Sequence, residues 1–145
     1  MRHLTFERHV PHPPEAMFDL VADLEAYPRF IPNCTGMVVK DDSRGGGQLA
    51  RMTVGFGPIT QAYTSRVDAK RPDRITAKAV DGPFAYLDSA WTFEPEGNGT
   101  FVRFEVDFKI SNPMLRAVAE PAFAAKQDEI MDAFLREAER RYGRS

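Results

Sequence analysis

Apolar and polar residues alternate along most of this chain, with the two-residue period that places the side chains of a β-strand on opposite faces. The alternation begins with Leu4, Phe6 and Val10. Further strands are predicted over residues 36–40, 48–56, 59–68, 74–80, 86–94 and 100–110. The last is the clearest, because one face is wholly apolar: Val102, Phe104, Val106, Phe108 and Ile110. Turn sequences at 41–47, 57–58, 71–73, 81–83 and 96–99 separate the strands and favour antiparallel pairing.

A short helix is predicted after the first strand, which ends at the prolines of the segment 12–15. Its apolar face contains Met17, Leu20, Val21 and Leu24. The helix is expected to end before Pro28, because the proline ring disfavours helical geometry at Tyr27.

A long helix is predicted between Asn112, which suits an N-cap and is followed by Pro113, and Gly143. Its apolar stripe has one polar interruption and consists of Leu115, Ala119, Phe123, Gln127, Ile130, Phe134 and Ala138. Pro121 is expected to kink or split this helix.

These elements predict an α+β protein of one domain, residues 1–145. The predicted order is a strand, one or two short helices, about six more strands and the long helix. A curved antiparallel sheet of six to seven strands wrapped around the C-terminal helix buries the apolar face of both.

Composition excludes several classes of protein. A net charge of -2 and a pI near 5.9 do not supply the basic field used to bind nucleic acid, so no nucleic-acid partner is expected. The sequence shows neither a signal peptide nor a membrane-spanning run, which predicts a cytoplasmic protein that could lie at the periphery of the inner membrane. Cys34 is the only cysteine and is expected to be a buried thiol.

Candidate catalytic residues are few. His3, His9 and His12 lie near the N-terminus and are expected to be solvated or locally bonded. Ser89 has no nucleophile-elbow sequence around it, and Gly45-Gly46-Gly47 lacks the residues of a phosphate-binding loop, so a hairpin is expected there. No catalytic or metal-binding residue is predicted.

Residues 27–34, Tyr-Pro-Arg-Phe-Ile-Pro-Asn-Cys, join the first helix to the second strand and are called the Tyr-Pro segment below. Together with Phe18–Asp23, Tyr63–Val67, Gly82–Phe84, Trp91–Phe93 and the end of the long helix, this segment resembles the Coq10-type coenzyme Q-binding proteins over essentially the whole chain. That group is part of the START-like, helix-grip superfamily, also labelled polyketide cyclase/dehydrase-like. Where the family usually has tryptophan, this chain has Asn33.

The resemblance implies a nonenzymatic carrier or chaperone of ubiquinone, or a similar prenylated lipid, that supports respiratory electron transfer. No cofactor beyond that bound ligand is implied. Expected partners are the hydrophobic ligand and, transiently, the inner-membrane surface or respiratory complexes. A bacterial branch of the family implies a toxin that affects ribosomal subunit association. The superfamily label leaves a cyclase or dehydratase as a third alternative.

A ligand cavity is expected between the sheet and the long helix, with the Tyr-Pro segment at one mouth. The candidate cavity residues are Tyr27, Phe30, Ile31, Pro32, Met52, Val54, Phe56, Tyr63, Phe84, Leu87, Trp91, Phe104, Val106, Phe108, Phe123, Ile130 and Phe134. Phe93, Met114 and the apolar stripe of the long helix are expected to face the same interior. Donors to a quinone head are expected among Tyr63, Arg66 and Ser89. Arg136, Arg140, Arg141 and Arg144 are expected to form a salt-bridged face with Glu137 and Glu139, or to contact anionic lipids.

Overall fold

The computed structural model describes residues 2–41, 47–56 and 59–143. Seven antiparallel strands form one sheet in the order β1-β7-β6-β5-β4-β3-β2. The strands are β1 (Arg2–Val10), β2 (Cys34–Asp41), β3 (Gln48–Phe56), β4 (Ile59–Lys70), β5 (Arg74–Ala79), β6 (Phe84–Glu96) and β7 (Gly99–Ile110). The predicted α+β class and antiparallel sheet are confirmed. The predicted turns at 42–46 and 57–58, with Gly45 and Gly46, lie outside the described residues.

Three α-helices accompany the sheet in the described part of the chain. They are α1 (Pro14–Ala22), α2 (Tyr27–Phe30) and α3 (Pro113–Tyr142), with a 3-10 turn at Leu24–Ala26 between the first two. Asn112 caps α3 as predicted, because its side chain accepts a hydrogen bond of 2.9 Å from the backbone N–H of Met114.

The expectation that Tyr27 is not helical was wrong, and so was the expected split of the long helix at Pro121. Tyr27 is helical, with φ -52° and ψ -41°. Pro28 belongs to the first turn of α2, where a missing N–H leaves no helical hydrogen bond unmade. Pro121 does not split α3, which is continuous from Pro113 to Tyr142. The carbonyl that Pro121 leaves unpaired in the helix is that of Ala117, an exposed residue, so water can satisfy it.

The core lies between the concave face of the sheet and the helices. Val102, Val106 and Phe108 of β7 are fully buried, and Met131, Phe134 and Ala138 of α3 pack against the same cluster. Leu115 and Met114, expected to face inward, are instead exposed by 52% and 85%. They belong to the first turn of α3.

The long helix covers one half of the sheet more closely than the other. Its main contacts are with β7, β1, α1 and α2. The inner face of β3, β4 and β5 therefore stays largely uncovered by helix, which leaves room for a cavity over these strands.

Candidate ligand-binding cavity

A cavity of about 150 Å³ lies between the concave face of the sheet, the Tyr-Pro segment and the middle of α3. Thirteen of the seventeen residues predicted from the sequence line it. They are Tyr27, Ile31, Pro32, Met52, Val54, Tyr63, Leu87, Trp91, Phe104, Val106, Phe123, Ile130 and Phe134.

Three predicted cavity residues lie behind the wall instead of in it. Phe30 packs edge-on against Phe134, at 5.3 Å between ring centroids. Phe84 contacts Phe123 at 5.2 Å, and Phe108 contacts the same ring at 4.7 Å. These aromatic rings hold the lining residues in place. The side chain of Phe56, the fourth residue, lies outside the described part of the structure.

An aromatic cluster forms one wall of the cavity. Trp91 stacks on Phe104 at 4.3 Å between centroids and meets Phe134 of α3 edge-to-face at 4.9 Å. Tyr27 contacts Phe134 from the other side at 5.3 Å. Each contact joins different elements, so the cluster ties the sheet, α3 and α2 together around the cavity.

The opposite part of the cavity is made by small residues, and the sequence prediction selected only one of them for the site, Ser89 as a donor. Ala50, Ser65 and Ala77 face inward from the neighbouring strands β3, β4 and β5, and Ser89 does so from β6. The register places Ser65 opposite Ala50 and Ala77 opposite Ser89. Small side chains at adjoining inward positions leave space that the large residues of β7 do not fill. A run of small residues at alternate positions of neighbouring strands was the available sequence signal.

Two tyrosine hydroxyls reach the cavity, and both are already bonded. The hydroxyl of Tyr27 donates to the carbonyl oxygen of Val21, and that of Tyr63 donates to the sulfur of Met52 at 3.5 Å. Burial raises the pKa of Tyr63 to about 12 and moves that of Tyr27 well above its ordinary value. Both phenols are therefore neutral at physiological pH.

The three residues predicted as donors to a quinone head separate into two groups. Tyr63 and Ser89 line the cavity. Arg66 does not, because Ser65 and Val67 on either side of it face inward and the alternation of β4 places Arg66 on the exposed outer face. The expectation that Arg66 faces a ligand was wrong.

Partly exposed lining residues mark where the cavity approaches the surface. Pro32 and Asn33 of the Tyr-Pro segment, Met37 of β2 and Lys126 of α3 all belong to this group. The Lys126 ammonium pairs with the Glu129 carboxylate at 3.0 Å. The expected position of the Tyr-Pro segment at a mouth agrees with this geometry.

Asn33 has a local structural role at this mouth. Its backbone is left-handed, with φ 67°, a conformation that asparagine tolerates better than most residues. Its side-chain nitrogen donates to the carbonyl oxygen of Gly55 at 2.8 Å, and the Gly55 N–H donates to the Asn33 carbonyl oxygen at 2.9 Å. The turn is therefore fastened to the end of β3.

The Tyr-Pro segment is also held by the C-terminal end of α3. The Arg141 guanidinium bonds Asp23 at 3.1 Å and Glu137 at 2.9 Å, and it lies over the ring of Phe30 at 5.9 Å. Arg140 contacts Glu137 at 2.6 Å. Glu137 thus joins Arg140 and Arg141 in the predicted salt-bridged face. Arg144 lies outside the described residues.

The histidines lie away from the cavity. His3 pairs with Asp107 and His9 with Glu96, each at 2.6 Å on the outer face of the sheet. His12 is buried and not solvated, and its ring packs 5.7 Å from that of Tyr142. Among residues 2–41, 47–56 and 59–143, no cluster of three potential metal ligands occurs. Cys34 is buried, as predicted, and burial raises the pKa of its thiol.

A curved antiparallel sheet closed by a long helix around an apolar cavity defines the START-like class of α+β proteins. Two solved structures share this fold. One is the Zhui aromatase/cyclase from Streptomyces sp. R1128, with a TM-score of 0.83, 20% identity, and coverage of 97% of this chain and 94% of that one. The other is a START superfamily protein from Mycobacterium smegmatis, with a TM-score of 0.77, 18% identity, and coverage of 95% and 97%.

The family model described as "Polyketide cyclase / dehydrase and lipid transport" matches residues 10–135, and the chain belongs to that family. Ribosome association toxin RatA of Pseudomonas aeruginosa is 30% identical over 142 residues, which cover 97% of this chain and 98% of the relative. The mitochondrial coenzyme Q-binding protein COQ10 of Drosophila melanogaster is 33% identical over 135 residues, covering 88% of this chain and 54% of the relative. No helix in the described part of this chain is long and apolar enough to cross a membrane.

Proposed function

We propose that this chain binds ubiquinone or a similar prenylated lipid in its cavity, without catalysing a reaction, and acts as a carrier or chaperone that supports respiratory electron transfer. The observation that carries the proposal is the cavity between the sheet and α3, whose wall is mainly aliphatic and aromatic. Such a wall favours an apolar ligand, because binding removes apolar surface from water on both sides. Similarity to a coenzyme Q-binding relative supports the choice of ligand.

The size of the cavity limits how much of a prenyl quinone it holds. A dry apolar cavity of about 150 Å³ is large enough for a benzene ring, and the cavity here has about this volume. It therefore holds a ring or a short piece of tail, and a long tail must continue through the mouth beside Asn33 and Lys126. This arrangement suits a carrier, which must release its ligand at its destination.

The nonenzymatic part of the proposal is supported by the side chains that line the cavity. Tyr27, Tyr63 and Lys126 are the ionisable groups among the described lining residues, and carboxylates are absent from that set. Both tyrosines have raised pKa values and Lys126 is paired with Glu129. A cyclase or dehydratase needs a group that exchanges protons near neutral pH. The likeness to the aromatase/cyclase concerns the fold alone.

The proposal is tested by identifying cargo and measuring binding. Organic extraction of the purified protein followed by mass spectrometry should recover a prenylated quinone. Titration with short-tailed ubiquinone analogues should quench the fluorescence of Trp91, the only tryptophan, because it lines the cavity. Free N-acetyltryptophanamide serves as the control for collisional quenching. Absence of saturable binding to any quinone would contradict the proposal.

A second candidate function is contact with the ribosome, and one observation favours it. The RatA relative matches this chain over 98% of its own length, so the two proteins have similar extents. Sedimentation of ribosomes with added protein tests this candidate. Cosedimentation together with fewer joined subunits would support it, whereas unchanged subunit joining and no cosedimentation would remove it.

A carrier must also reach its cargo at the inner membrane, and transient contact there is part of the proposal. Arg136 and Arg140 are exposed near the C-terminal end of α3 and can face anionic headgroups. Vesicle flotation should show weak binding to vesicles rich in phosphatidylglycerol and none to pure phosphatidylcholine. Charge reversal at Arg136 should abolish the difference. Equal recovery with both vesicle types would show that this end of α3 is not used.

A further inference from the structure

Two serine hydroxyls face the cavity and form no hydrogen bond with the described residues of the protein. Ser65 and Ser89 line the cavity, and neither hydroxyl has a hydrogen-bond partner among residues 2–41, 47–56 and 59–143. No fully buried polar side-chain atom of the described residues lacks a partner, so both hydroxyls must be open to the cavity space. A hydroxyl in apolar surroundings gains a full hydrogen bond only when a ligand or water supplies one.

The strand register sets the distance between these serines. Ser65 of β4 pairs with Ala79 of β5, and Ala77 of β5 pairs with Ser89 of β6. The two serines are thus two strands apart and displaced by two residues along the strands. Ladder spacings of about 4.8 Å and a rise of about 3.3 Å per residue place their Cα atoms roughly 12 Å apart, and side chains on a concave face converge slightly further.

This separation matches a six-membered ring that carries oxygens at opposite positions. Carbonyl bonds of about 1.23 Å at the two ends of such a ring place its oxygens roughly 5 Å apart. Adding one O–H···O hydrogen bond of about 2.8 Å at each end gives a span of up to roughly 11 Å between the serine oxygens. Aliphatic chains, fatty acids and sterols do not carry two oxygens at this spacing.

We propose that Ser65 and Ser89 bind the two para oxygens of a 1,4-dioxygenated ring, so that the ligand enters the cavity ring first. The inference rests on the proposed function and specifies the chemical class and orientation of its ligand. Serine hydroxyls both donate and accept, so the site takes the quinone and the quinol.

Other features of the cavity agree with this orientation. Ala77 lies between the serines and has too small a side chain to displace a ring lying across the sheet. Trp91 and Phe104 offer an aromatic wall beside it. At the mouth, Asn33 bonds Gly55 and Lys126 pairs with Glu129, so the polar groups there are already engaged. The tail, not the ring, therefore lies at the mouth.

The experiment compares two probes on three variants. The probes are 2,3-dimethoxy-5-methyl-6-decyl-1,4-benzoquinone and decylbenzene, which has a similar tail and no ring oxygens. The variants are Ser65→Ala, Ser89→Ala and the matched control Ser111→Ala, since Ser111 is exposed beyond the end of β7. Calorimetric titration measures the affinities, and thermal denaturation by circular dichroism confirms that each variant is folded.

Each cavity variant should bind the quinone about tenfold more weakly than the wild type, as expected for loss of one hydrogen bond. Decylbenzene affinity should not change, and Ser111→Ala should bind both probes normally. Unchanged quinone affinity in both cavity variants would overturn the orientation while leaving quinone binding intact. Failure of the decyl quinone to bind the wild type would instead refute the proposed function and this inference together.

Discussion

A larger side chain that fills the cavity from the middle of the sheet should raise the stability of this protein and weaken its binding of a quinone. Ala77→Leu is the chosen change, because Ala77 lines the cavity between Val67 and Ser89 in the strand register. The larger side chain projects into empty space instead of into packed atoms. It occupies the place where a ring would lie between the two serines.

The magnitude follows from the cavity volume of about 150 Å³. Cavities in protein cores cost roughly 24 cal/mol per Å³, so an empty cavity of this size costs about 3–4 kcal/mol. Leucine adds three carbon atoms and fills about half of it, while local overpacking costs about 1 kcal/mol. The free energy of unfolding should therefore rise by about 1 kcal/mol, and the Tm by about 2–4 °C.

Urea denaturation measures the stability change, and titration with the decyl quinone measures binding. Quinone affinity should fall by more than tenfold in Ala77→Leu. The matched control is Ala90→Leu, because Ala90 adjoins Ser89 on β6 but faces the outer side of the sheet. Quinone binding to Ala77→Leu as tight as to the wild type would refute the cavity as the binding site. A loss of more than about 2 kcal/mol in stability would show that the space is already filled.

Three other substitutions test the supports of the cavity. Gly82→Ala should lower the free energy of unfolding in urea by about 2 kcal/mol and weaken quinone binding. Gly82 has φ +106°, and an added Cβ would lie 2.6 Å from the Cβ of Tyr63. Wild-type stability and affinity in this variant would refute the prediction. Asn33→Trp should cost about 1–2 kcal/mol in the same assay through backbone strain at φ 67° and loss of the hydrogen bond to Gly55, and an unchanged free energy of unfolding would contradict this. Hydrogen bonding to Arg140 lowers the pKa of Glu137 to about 2, so its stabilising effect is complete above pH 4.5 and disappears as pH falls toward 2. Glu137→Gln should thus lose about 2 kcal/mol at pH 7 and show a flatter acid limb between pH 4.5 and 2; identical limbs would contradict this.

The fold could be predicted from the sequence because each strand carries its own two-residue alternation of apolar and polar residues. In β7 the residues predicted to face inward, including Phe108, are all buried. This alternation could be read from the sequence without knowledge of distant contacts. Errors arose where tertiary position outweighed local pattern. Leu115 continues the apolar stripe of α3, yet in the first turn of the helix its side chain is 52% exposed. His12 follows a strand at the edge of the sheet, but the end of α3 covers it.

Only part of the cavity could be predicted from the sequence. A hydrophobic pattern identifies large side chains, whereas the space of a cavity depends on positions where the side chains are small. The large lining residues Trp91 and Phe134 were predicted from their apolar character. Ser65 and Ala77 were not, because neither stands out until the register places both on the inner face of neighbouring strands. Arg66 was selected for its place in a strand that lines the sheet, although the alternation of β4 places it on the outer face.

Lipid binding and ribosome contact would use different surfaces of the same sheet, so a single substitution can separate them. Lipid binding depends on the concave face, where Ala77 lies. Contact with a ribosome would need exposed groups, such as those on the outer face, where Glu7 pairs with Arg103 and His3 with Asp107. Ala77→Leu changes only the interior, so it should abolish quinone binding and leave any effect on ribosomal subunits intact. Loss of both activities in this variant would indicate instead that ribosome contact depends on a bound ligand.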